Sequence, residues 1–158
     1  MSGNLLLYLV VMMVGCSASR PSQIGVTAGR LAPCPDSPNC VSSQSEDKRH
    51  AIEPFHYEGT AEAAMQGLID VIQGMKRARI RTAQKRYIHA EFISFLFRFV
   101  DDVEFLLDEE SKTIHVRSAS RVGYSDLGVN RKRVEAIRSR FDALLKKGRL
   151  SPGSDRSP

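Results

Sequence analysis

The sequence has no apolar stretch long enough to cross a bilayer: residues 5–15 are its most apolar run, and a spanning helix needs roughly 20 such residues. It has no glycine-rich phosphate cradle and no serine in a recognisable nucleophile elbow or triad spacing. Its basic stretches lack the interleaved aromatics on which bases stack, which weighs against a nucleic-acid binder. Cysteine is scarce, at three. A zinc pair at Cys34 and Cys40 would find only His50 and His56 nearby, which argues against a metal centre. No cofactor is expected.

What is present fits one modest domain with tails: 158 residues, 42% of them hydrophobic, bury an ordinary core. Twenty-three Lys and Arg against eighteen Asp and Glu give a net charge of +5, a balance that suits anionic partners without specifying one.

Residues 1–15 read as a signal peptide, and Met13-Val-Gly-Cys16 resembles the lipobox of bacterial lipoproteins, in which the cysteine is lipidated. The expectation is a palmitate-bearing lipoprotein anchored at Cys16 in the bacterial cell envelope, facing the periplasm. The alternatives are a cleaved soluble export and an uncleaved or cytosolic chain. Residues 16–30 then form a tether, 31–147 the domain, and 148–158 a disordered tail. In an exported chain, Cys34 and Cys40, bracketing a loop with two prolines, are expected to form a disulfide.

Within the domain, residues 60–75 place Ala61, Ala64, Met65, Leu68, Ile72 and Met75 on one helical face behind a Thr60 cap. Four strands follow, at 78–83, 87–93, 99–107 and 113–120, as an antiparallel meander. A last helix is expected to start at an Asn130 cap and to pack through Val134, Ile137, Phe141, Leu144 and Leu145. The fold class is therefore α+β: one antiparallel sheet of about four or five strands with two helices on one face.

Pairing Leu107 with Lys112 places Phe105 opposite Ile114 and Val103 opposite Val116, with Glu104 beside His115 and Asp102 beside Arg117 on the polar face. With Tyr87, His89 and Glu91 from the preceding strand, that face gathers carboxylates, histidines and a cation, so His89, Glu91, Glu104 and His115 are the weak catalytic candidates. Strict alternation points Asp101 toward the apolar side, where a carboxylate needs a partner; Arg121 or the amides of the 122–130 loop are expected to supply it.

The most polar stretch is Arg117-Ser-Ala-Ser-Arg-Val-Gly-Tyr-Ser-Asp-Leu-Gly-Val-Asn-Arg-Lys-Arg133. Arg117, Ser118, Ser120, Arg121, Tyr124, Ser125, Asp126, Asn130, Arg131 and Arg133 are its candidate ligand-binding residues, with Asp101 and Asp102 as internal ion-pair partners. Together with Leu-Ala-Pro-Cys-Pro-Asp-Ser-Pro-Asn-Cys-Val-Ser-Ser-Gln at 31–44, Tyr87-Ile-His-Ala-Glu-Phe92 and Phe99-Val-Asp-Asp-Val-Glu-Phe105, this stretch resembles DUF1499, a family of unknown function in bacteria and photosynthetic eukaryotes, over about residues 31–145. The resemblance implies a real domain and real motifs, and brings no activity with it.

Two functional classes follow. The first is a non-catalytic envelope module whose Arg/Asp-rich segment clasps the fold and binds a small anion, a lipid head group or an acidic protein. The alternative is a hydrolase-like enzyme built on a His/Glu pair.

Overall fold

A computed structural model describes residues 23–94 and 98–148. The expected signal peptide, Cys16, the first part of the expected tether and nearly all of the expected tail lie outside the described residues. In chain order the elements are β1 (Val26–Thr27), β2 (Arg30–Leu31), β3 (Cys40–Ser42), β4 (Phe55–His56), α1 (Ala61–Gln73), β5 (Ala78–Ala83), β6 (Tyr87–Ile93), β7 (Val100–Asp108), β8 (Thr113–Ser120) and α2 (Val129–Lys146).

The fold is α+β with two helices, as the sequence implies, but its main sheet has six strands rather than four or five. The meander β5-β6-β7-β8 is there. The extra strands, β3 and β4, are three and two residues long, and both pair with β8. A separate two-stranded hairpin, β1-β2, occupies sequence that reads as tether.

Thr60 caps α1, its Oγ1 accepting from the Ala63 amide at 3.2 Å. The helix buries Ala64, Met65, Leu68, Val71 and Ile72. These join Ile88, Ala90 and Phe92 of β6, Val103, Phe105 and Leu107 of β7, Ile114 and Val116 of β8, and Val134, Ile137 and Phe141 of α2 in one core. Fully burying one such Leu or Ile contributes roughly 1.5–3 kcal/mol over leaving it exposed. Phe55 of β4 closes the core with edge-on contacts to Phe105 and Phe141, at 5.6 and 5.8 Å between ring centroids.

The β7–β8 register differs from the expected one by two residues. Asp108 pairs with Thr113, Phe105 with Val116, and Glu104 with Arg117, so His115 lies opposite Leu106 and Asp102 opposite Ala119. The turn chemistry explains the shift. Asp108 Oδ1 accepts from the Glu110 amide at 3.1 Å and its Oδ2 from the Ser111 hydroxyl at 2.8 Å, while Lys112 takes a left-handed φ of 51°. The loop is thus 109–112. A slip of two residues keeps every side chain on its face and changes only its cross-strand partner.

Candidate functional site

The segment after β8 ties the two faces of the sheet together. On the helix face, Asp101 follows strict alternation inward, pairs with Ser120 across the strands and is 3% exposed. Its partner is Arg133 of α2, whose Nη2 binds Asp101 Oδ2, and not Arg121 or the loop amides. The reason is positional: a residue one turn into α2 stands over the helix face, whereas Arg121 leaves β8 on the opposite side. Arg133 Nη1 also donates to Asn130 Oδ1 at 2.7 Å, and its guanidinium lies over the Phe92 ring, 5.1 Å from the centroid.

Asn130 is not the helix cap. It is completely buried in the first turn, where Nδ2 donates to the Asn39 carbonyl and to Ser120 Oγ, both at 3.0 Å, and Oδ1 accepts from the Ser118 hydroxyl at 2.6 Å. Gly128 stands at the cap position with a left-handed φ of 77°. Asp126 does the capping work from further back, accepting from the amides of Gly128 at 2.9 Å and Asn130 at 2.7 Å. A carboxylate there also offsets a helix start whose first turn holds no acidic residue.

On the other face, Glu91, Asp102 and Glu104 are all at most 4% exposed. Isolated buried carboxylates are costly, so each must be matched. Arg121 makes a bidentate fork on Asp102, Nε to Oδ2 and Nη2 to Oδ1, each at 2.8 Å, and reaches Glu91 Oε1 as well. Glu91 Oε2 accepts from Arg81 Nε at 2.6 Å. Arg81 lies at a register shift between Ile80 and Thr82, on the same face as Arg79, which pairs with Glu91. His89 Nε2 donates to Asp102 Oδ1 at 2.7 Å. Glu104 accepts from Arg117 Nη1 at 3.0 Å, the Tyr87 hydroxyl at 2.8 Å and the Gly25 amide at 2.7 Å. Three guanidiniums therefore match three carboxylates.

Burial pushes the Glu91 and Asp102 carboxyls up, but the hydrogen bonds from Arg81 and Arg121, and from Arg121 and His89, outweigh it and hold both below their ordinary values. The hydrogen bond to Asp102 holds the Arg121 guanidinium firmly protonated. Burial, with the Glu104 charge beside it, pushes the Tyr87 hydroxyl well above the phenol range, so Tyr87 is a fixed donor.

The candidate catalytic residues are thereby committed to one another. Both oxygens of Glu91 and of Glu104 are occupied, and His89, 6% exposed, is turned onto Asp102. His115 stands apart, its Nδ1 hydrogen-bonded with the Ser43 hydroxyl at 3.3 Å. Burial lowers its pKa and favours the neutral ring.

Of the expected ligand-binding set, Arg117 and Arg121 fall on the outer face, and Ser118, Ser120, Asn130 and Arg133 on the helix face. Tyr124 and Ser125 sit on an exposed loop, and Arg131 bonds the Arg49 carbonyl at 3.2 Å. Cys34 and Cys40 are joined as a disulfide, their sulfurs bonded to each other. Among the described residues no group of three or more His, Cys, Asp or Glu is placed to hold a metal ion.

Sequence reasoning missed Arg81, Asn39 and the Gly25 amide. Arg81 was visible as one of the cations that alternation puts on the outer face of 78–83, but nothing in the sequence named Glu91 as its partner. Asn39 acts through its backbone carbonyl and through Nδ2, which donates to the Gly123 carbonyl at 2.6 Å.

An α+β domain whose most polar segment is spent on internal ion pairs defines an architecture rather than an activity. The chain belongs to the family described as a protein of unknown function, DUF1499, whose model matches residues 30–141. No curated protein and no solved structure matches it.

Proposed function

We propose that the protein is a non-catalytic cell-envelope module, held at a membrane through a lipidated Cys16, in which the Arg/Asp-rich segment is a clasp that fixes the 122–129 loop for binding. One observation carries this reading: Arg117, Arg121 and Arg133, the arginines an anion site would use, each end on a buried carboxylate of the same domain. Cations spent in that way hold structure. Lys132, exposed, and Arg131, half-buried with a bond to the Arg49 carbonyl, stand beside the loop. No helix among the described residues is long and apolar enough to cross a membrane.

The test is palmitate labelling with membrane fractionation of the full chain and of Cys16→Ala. Labelling and sedimentation with membranes are expected for the wild type and lost in the variant. Label that persists in Cys16→Ala removes the anchor.

A further inference from the structure

The loop between β8 and α2 presents apolar side chains that the core never takes in. Tyr124 is 77% and Leu127 86% exposed, with Val122 and Val129 more than 40% exposed on either side. Leu127 also holds a left-handed φ of 53°, a backbone conformation in which leucine is disfavoured and Asn, Asp or Gly would rest more easily. Stability of the isolated domain accounts for neither the residue nor its posture. The loop is nonetheless firmly held: Asn39 grips the Gly123 carbonyl, and Asp126 anchors the Gly128 and Asn130 amides. A rigid display of Tyr, Leu and Val is what a docking surface requires.

The charges beside the loop select the occupant. Arg131 and Lys132 follow it in the first turn of α2, where the helix dipole adds to their field, and Arg131 bonds the Arg49 carbonyl. Apolar and aromatic side chains rimmed by cations match the boundary between acyl chains and anionic head groups.

Chain direction points to the same surface. From Leu31 of β2 the chain runs to Cys34, which is joined to Cys40, and Cys40 pairs with Ala119 at the loop end of β8. The strand β1 is antiparallel to β2, so traced back from Val26 through Gly25 to Gln23 the chain heads toward that same end. Gln23 and Ile24 accordingly share a cavity of about 770 Å³ with Asp36 and Cys34. Cys16 lies seven residues before Gln23, a reach of roughly 25 Å at full extension. A tether of that reach allows the loop end of the domain to meet the bilayer.

We infer that Val122, Tyr124, Leu127 and Val129 insert into the head-group region of an anionic membrane, with Arg131 and Lys132 on its phosphates. The inference rests on the reading of the domain as membrane-held and adds which surface touches lipid.

The chain contains no tryptophan, so Tyr124→Trp in the full, lipidated protein is a lone reporter at an exposed site. In vesicles of mixed phosphatidylglycerol and phosphatidylcholine, a blue shift of about 10 nm and strong quenching by brominated lipid are expected, in keeping with a depth of about 5–10 Å. Both should fall sharply with Arg131→Glu/Lys132→Glu and in phosphatidylcholine alone. Leu127→Asn, which relieves the backbone, should fold normally and lose quenching.

Emission unchanged by vesicles while the protein floats with them overturns loop insertion and leaves the anchor standing. A Cys16→Ser chain that floats as well as the wild type removes the anchor instead, and failure of the wild-type chain to float removes both. An equal shift in neutral vesicles overturns the anionic preference. A photo-crosslinker at position 124 that captures protein rather than lipid in cells overturns the membrane as occupant.

Discussion

Arg121 and Asp102 are joined by two hydrogen bonds of 2.8 Å in a planar fork, on side chains 7% and 0% exposed. Removing one partner of such a pair leaves the other charged and buried, which costs about 3–5 kcal/mol. Arg121→Gln is therefore expected to lose that much in urea unfolding at pH 7. Arg121→Lys should recover little, because an ammonium cannot serve both Asp102 oxygens and Glu91 together. A lysine variant as stable as the wild type would show that charge alone suffices.

The helix-face pair makes an independent prediction. In a double-mutant cycle, Asp101→Asn and Arg133→Gln should couple by about 1–3 kcal/mol, since the two groups bond directly. Asp101→Asn and Arg121→Gln should be additive within about 0.5 kcal/mol, because no bond joins them. Urea denaturation of the six chains decides it, and strong coupling to Arg121 would contradict the pairing.

Acid should unfold the protein in two stages. The lowered His115 pKa means the folded state binds fewer protons than the unfolded chain once pH falls below the ordinary histidine value of 6.5, so stability declines gently from there. Glu91 and Asp102 are also depressed. Their contribution is complete above their ordinary values of 4.5 and 3.8 and is lost as pH falls through the lower folded values, giving a steeper decline. Thermal melts from pH 8 to 3 should show both stages. His115→Gln should abolish the first alone, and Asp102→Asn should flatten the second.

Much of this architecture was legible. Repeating apolar positions located both helices and four strands, because each buries a face large enough to impose its period. The sequence also marked 117–133 as the segment joining sheet to helix, and Asp101 as a carboxylate in need of a mate. The mates themselves were not legible. Arg133 and Arg121 are equally plausible on charge, and only the three-dimensional exit of the chain from β8 sends one to each face. The register depended on Asp108 folding back on Ser111, a local bond worth little in sequence statistics that nonetheless moved Glu104 from His115 to Arg117. A two-residue strand such as β4 carries too few residues to register any pattern.

The disulfide also determines how tension runs through the molecule. A pull on the chain ahead of Gln23 first meets the Gly25–Glu104 bond and the small β1–β2 hairpin, which opens rung by rung. Once these yield, the load reaches Cys34 and passes through sulfur directly to Cys40 in the main sheet. Asn39, whose carbonyl and side chain secure Asn130 and Gly123, lies inside the bypassed loop and carries none of it. The domain thus has a mechanical fuse at its leading end, and the Asn39–Asn130 contacts that hold the start of the last helix lie off the path of the load.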